Sequence, residues 1–91
     1  MNITVEYASQ IKRVIGNDSE SYVLEEHQTL QDLIQLVSKK HDSELHALLF
    51  KEEVLHPSIL LFIKDNQVRW EDNPVLNEGD VVTLLSPISG G

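Results

Sequence analysis

The stretch Leu76-Asn77-Glu78-Gly79-Asp80-Val81-Val82-Thr83-Leu84-Leu85, running on into Ser86-Pro87-Ile88-Ser89-Gly90-Gly91, decides how this chain is read. Asn77 to Asp80 is tight-turn chemistry, with Gly79 able to take a positive φ. Val81 to Leu85 then reads as a strand, and it delivers the chain straight into the closing segment. A glycine pair is a poor end for a folded element, because glycine loses more backbone freedom on ordering than any other residue. It suits a thin tail without side chains, one that can thread a narrow channel and present a carboxylate to chemistry in another protein. The expected division is a folded domain over residues 1–85 and a flexible tail over residues 86–91.

Working outward, Asn2 to Tyr7 alternates polar and apolar, which predicts a half-buried strand with Ile3, Val5 and Tyr7 on one face. Ala8 to Gly16 suits a short helical turn, and Gly16-Asn17-Asp18-Ser19 is dense turn chemistry. Residues 20–25 carry Tyr22 and Leu24 in alternation, a second strand. Thr29 is a good N-cap, with Asp32 three residues on as an imperfect capping box. Leu30, Leu33, Ile34 and Val37 then follow at the spacing of one helical face, broadened by Leu36. Lys39, Lys40 and His41 close that helix where cations suit the dipole. Asp42 to Glu53 is the least readable segment; it allows a short helix around Leu45, Leu48 and Leu49, with Phe50 and Val54 packed under the loop that follows.

Residues 59–64 form an apolar interior strand, Asp65-Asn66-Gln67 a turn, and Val68-Arg69-Trp70 a short returning strand. One amphipathic helix among these strands must lie across a sheet. The expected fold class is α+β: a mixed four- to five-stranded sheet with one main helix on one face. With first and last strands side by side and parallel at its centre, this is the ubiquitin-like β-grasp plan.

Composition narrows the function. At 91 residues with 41% hydrophobic content, the chain is one ordinary globular domain. Fifteen acids against seven bases give a net charge of −8. Nucleic-acid binding is disfavoured, since it needs a basic face; a partner with a basic docking surface is favoured. The longest apolar run, Ile59 to Ile63, is too short to cross a membrane. No cysteine is present, which excludes disulfides, a CxxC metal site and a thiol nucleophile. The N-terminus lacks the pattern of a signal peptide, so the expected location is the cytoplasm.

Four stretches together carry a family likeness: Glu6-Tyr7-Ala8 through Ile11-Lys12-Arg13 to Gly16; the helix start Thr29 to Val37; Ile59 to Ile63 with Val68-Arg69-Trp70; and Leu76 to Val82 ending in Ser86 to Gly91. The chain resembles the MoaD/ThiS family of ubiquitin-like sulfur carriers, the small subunit of molybdopterin synthase most of all. It departs in having Ser86 where the family commonly has a proline, and in lacking glycine after Asn66. Residues 42–57 are also longer than in ThiS.

The resemblance implies a carrier and cosubstrate with no catalytic residue of its own. An adenylyltransferase similar to ubiquitin-activating enzymes would use ATP to join the Gly91 carboxylate to AMP. Sulfur from a donor would replace AMP, giving a thiocarboxylate on Gly91. A large synthase subunit, or another sulfur-accepting enzyme, would receive Pro87, Ile88, Ser89, Gly90 and Gly91 in its active site. Molybdopterin synthesis is the leading pathway; thiamine, cysteine and tRNA thiolation are alternatives, as is a modifier joined to lysines through Gly91.

Alternation in the last strand suggests a docking surface. If Val82 and Leu84 face the helix, Leu85 lies on the open sheet face. An exposed apolar patch of Leu85, Ile88 and Tyr7, rimmed by Glu78 and Asp80, is expected. His41, His46 and His56 lie near Asp42 and Glu44, but their spacing matches no familiar ligand pattern. No metal site is expected there, and the histidines read as solvated.

Overall fold

In the computed structural model, residues 1–86 are described. The decisive strand is there: Gly79 turns with φ +82°, and β7 runs Val81–Ser86. It lies parallel to β1 (Asn2–Ala8), pairing Thr4 with Val81 through to Ala8 with Leu85. On its other side β7 is antiparallel to β5 (Leu60–Ile63). With β2 (Ser19–Val23) and β6 (Asn66–Val68) on the edges, the sheet order is β2-β1-β7-β5-β6. First and last strands are thus the central pair of a β-grasp sheet.

Helix α2 (Leu30–Lys40) crosses that sheet because its sequence gives it a single apolar face. Leu30, Leu33, Ile34 and Val37 are all fully buried. The Thr29 hydroxyl accepts from the Asp32 amide and the Asp32 carboxylate accepts from the Thr29 amide, a complete capping box. Leu36 points away from the core and is exposed, so the face is narrower than its sequence suggests.

Helix α1 (Ser9–Ile15) is closed by Gly16 in the left-handed region, φ +86°. It buries Ile11. Helix α3 (Ser43–Leu49) is capped by the Asp42 carboxylate and buries Leu45 and Leu49. A two-residue turn then joins β3 (Phe50–Lys51) to β4 (Val54–Leu55) in a separate hairpin. This hairpin carries no usual turn signal: Glu52 and Glu53 both sit at positive φ, where Asn or Gly is normal. Phe50 is buried there, but Val54 is half exposed. The turn after β5 is tighter than expected, so the returning strand is Asn66–Val68 and Trp70 starts a 3-10 turn, Trp70–Asp72.

Candidate functional site

Strand β7 divides its side chains cleanly between two faces. Val82, Leu84 and Ser86 are buried on the helix side, while Val81, Thr83 and Leu85 are half-buried on the other. Leu85 therefore sits on the open face as the alternation predicts. Its register partners are Ala8 on β1 and Leu60 on β5. Phe62, beside Thr83, adds an aromatic ring to the same face, and Leu60 and Phe62 are both half-buried. An apolar surface of Leu60, Phe62, Val81 and Leu85 thus lies in the middle of the sheet, at and beside the strand that leads to Pro87. Sequence reasoning missed Leu60 and Phe62, because a strand apolar throughout does not say which residues face outward.

Tyr7 does not belong to this surface. It is paired with Leu84, so its ring points to the helix side, and it is 5% exposed. Its hydroxyl donates to Glu20 Oε1 at 2.7 Å. Asp80 also leaves the proposed rim: it is buried, and its carboxylate accepts from the Asn77 amide at 2.8 Å, closing the turn before β7. Glu78 is exposed and accepts from the Asn2 amide. Ile88, Pro87, Ser89, Gly90 and Gly91 lie outside the described residues.

What Tyr7 joins is a polar knot around Glu20. Tyr22 donates to the same carboxylate oxygen at 3.0 Å, His41 Nε2 lies 2.9 Å from it, and Lys40 Nζ is 3.1 Å from Oε2. Burial alone would raise the Glu20 carboxyl, but the hydrogen bonds from His41, Tyr7, Lys40 and Tyr22 together lower it from 4.5 to about 2. Burial, with the Glu20 carboxylate, pushes Tyr22 up to about 12; burial first, then Tyr22 and Glu20, pushes Tyr7 well above the usual phenol range. The knot ties β1, β2 and the end of α2 together. An inward-pointing charge also guards β2, an edge strand, against pairing with other chains.

The three histidines have separate partners. His41 binds Glu20, His46 Nδ1 lies 2.8 Å from Ser38 Oγ, and His56 Nδ1 accepts from the Ser58 amide at 3.1 Å. They are spread over the fold and do not converge; only His46 is exposed. Trp70 packs edge-on against Phe50 at 5.6 Å. Beside it a groove of about 230 Å³ is lined by Leu55, His56, Ile59, Leu60 and Trp70, among others.

The described residues thus form a β-grasp with an apolar open face leading to a glycine-ended sequence. A model of the ThiS family matches residues 5–91. The chain belongs to the ThiS family. This is a family of ubiquitin-like sulfur carriers and modifiers. An uncharacterized protein of Archaeoglobus fulgidus is 32% identical over 89 residues, covering 92% of this chain and 91% of the relative. SAMP1 of Haloferax volcanii shares the fold, with a TM-score of 0.87, 15% identity and full coverage of both chains (100% each). The putative molybdopterin converting factor subunit 1 of Pyrococcus furiosus superposes with a TM-score of 0.78 at 25% identity, over 97% of this chain and 99% of that one. A chain of the Amycolatopsis orientalis BexX/CysO complex gives 0.73 at 28% identity, over 98% and 99%. Small carriers of the ThiS/MoaD type are typically non-catalytic. Among the described residues, no helix is long and apolar enough to cross a membrane.

Proposed function

We propose that this chain is a cytoplasmic sulfur carrier. Its Gly91 carboxylate is adenylated by an ATP-using adenylyltransferase and converted to a thiocarboxylate. The sulfur is then given to an enzyme of cofactor biosynthesis. The observation that carries this reading is that the family match runs through Gly91 itself, beyond the last described rung at Ser86. Similarity to a molybdopterin converting factor subunit favours a molybdopterin-synthase large subunit as the acceptor.

The chemistry asks little of the carrier's own side chains. A carboxylate is a poor electrophile until a leaving group is attached, and AMP supplies one. Attack by a sulfur nucleophile at the Gly91 carbonyl carbon then forms the C–S bond and expels AMP. Glycines at 90 and 91 leave only backbone to enter the activating site. Leu60, Phe62 and Leu85 provide the surface on which the partner enzymes settle, and the acid-rich chain steers basic-rimmed partners to it.

Intact-mass spectrometry tests this. Incubated with the adenylyltransferase, ATP and a sulfur donor, the chain gains the mass of one oxygen replaced by sulfur, located on the C-terminal peptide. The modifier reading predicts Gly-Gly remnants on lysines of other proteins instead. A chain that takes neither AMP nor sulfur would remove both readings.

A further inference from the structure

The geometry points to Ser9 as a positioning residue that holds the last rung of β7, and so fixes where the reactive segment starts. This inference rests on the carrier reading for its consequence, but its structural part stands alone. Ser9 opens α1, yet its φ is +57°, a left-handed value that L-residues other than Gly, Asn and Asp adopt at a cost. Ala8 before it is still extended, with φ −137° and ψ 158°. The chain therefore turns sharply between strand and helix. That turn lets Ser9 pair in parallel with Ser86, one rung beyond Ala8 and Leu85.

This rung is held from one side. On the β5 side the register stops at Leu60 with Leu85, so Ser9 is the strand-type partner of Ser86 among the described residues. Ser86 is 3% exposed, although it is the residue just before Pro87. Proline has no N–H to donate and restricts its predecessor to extended backbone. Ser86 is thus the last residue of this strand with an amide to pair. Around Ser9, Ile11 is fully buried, the Asp18 carbonyl accepts from the Tyr7 amide at 2.9 Å, and Lys12 meets Asp18 at 2.6 Å on the surface. Strain of this kind persists only where the surroundings over-determine it.

The consequence is preorganisation. A reactive segment anchored at a fixed rung enters a partner's channel from one starting point. If the rung opens, only the fraction of molecules with it closed presents the segment correctly, and apparent affinity falls by that fraction.

Two substitutions separate this from a role for the Ser9 hydroxyl. Ser9→Gly accepts positive φ freely and keeps the rung. Ser9→Val, β-branched, disfavours it by about 1–2 kcal/mol relative to Ser9→Gly, which opens the rung about tenfold more often than in the Gly variant. The expected result for Ser9→Val is about tenfold faster amide exchange at the Ser9/Ser86 rung than in Ser9→Gly, with Val5 and Val82 protected as before. In AMP transfer by the adenylyltransferase, KM rises by the factor by which the closed fraction falls, with kcat unchanged. Ser9→Gly exchanges most slowly at this rung, and the unsubstituted chain falls between the two variants. Should Ser9→Val fail to fold, Ser9→Ala takes its place, its exchange again compared with that of Ser9→Gly. Exchange in the Val or Ala variant no faster than in Ser9→Gly, or a KM that departs from the closed fraction read by exchange, would each overturn the inference. Lack of AMP transfer to the unsubstituted chain would instead count against the carrier reading, and the exchange data would still judge the rung.

Discussion

The two faces of β7 carry the same kind of residue and do opposite work. Val82 and Leu84 are 0% exposed and belong to the core under α2. Val81 and Leu85, their neighbours in sequence, are left half-buried on the open face. The strand is thus a structural centre on one side and an open apolar surface on the other, and a period of two is all that divides them. The difference teaches that apolar content in this strand is no measure of its contribution to stability. Where a side chain points decides how much its loss is felt by the fold.

Substitutions can break that division in order of size. Leu84→Ala removes a fully buried side chain and should cost about 2–5 kcal/mol in urea unfolding. Glu20→Ala strips the carboxylate from the Tyr7 and Tyr22 hydroxyls and should cost about 1–3 kcal/mol by the same measurement. Glu20 also predicts an acid limb. Its carboxyl is lowered in the fold from 4.5 to about 2, so its stabilisation is present above the unfolded value. That contribution is lost as pH falls through the window from about 4.5 to about 2. A pH series of unfolding midpoints should show this loss in the unsubstituted chain and a shallower one in Glu20→Gln.

Gly79→Ala meets no steric neighbour, but φ +82° strains any residue with a Cβ, so about 1 kcal/mol is expected. Leu85→Ala sharpens the comparison most. Its stability cost should be well below that of Leu84→Ala, about 1 kcal/mol or less. Its KM in AMP transfer should rise with the chain still folded. If Leu85→Ala instead unfolds the protein as Leu84→Ala does, the division of faces is wrong.

Much of this was legible in the sequence where local chemistry and tertiary demand agree. Thr29, Asp32 and the four apolar residues of α2 say the same thing at every level, and the helix forms as read. Gly79 announces its turn because only glycine takes that φ without cost. The hairpin from Phe50 to Leu55 was not legible for the opposite reason, although the helix before it, capped by Asp42, forms as read. The hairpin turns on Glu52 and Glu53, residues that ordinarily avoid positive φ, and tertiary packing of Phe50 and Leu55 overrides them. Tyr7 misled because an aromatic near the last strand suits a surface as well as a core. Only contact with Glu20, thirteen positions away in sequence, shows where its hydroxyl is satisfied. That knot is assembled from three elements, and nothing local in the chain marks it.

The carrier account stands or falls on Gly91. The most direct measurement compares ATP-dependent AMP transfer by the adenylyltransferase to the full chain and to a chain lacking Gly91, with thermal unfolding followed on both. The account predicts an unchanged Tm and complete loss of AMP transfer on deletion. AMP transfer that survives the deletion, or its loss only together with the fold, would contradict it.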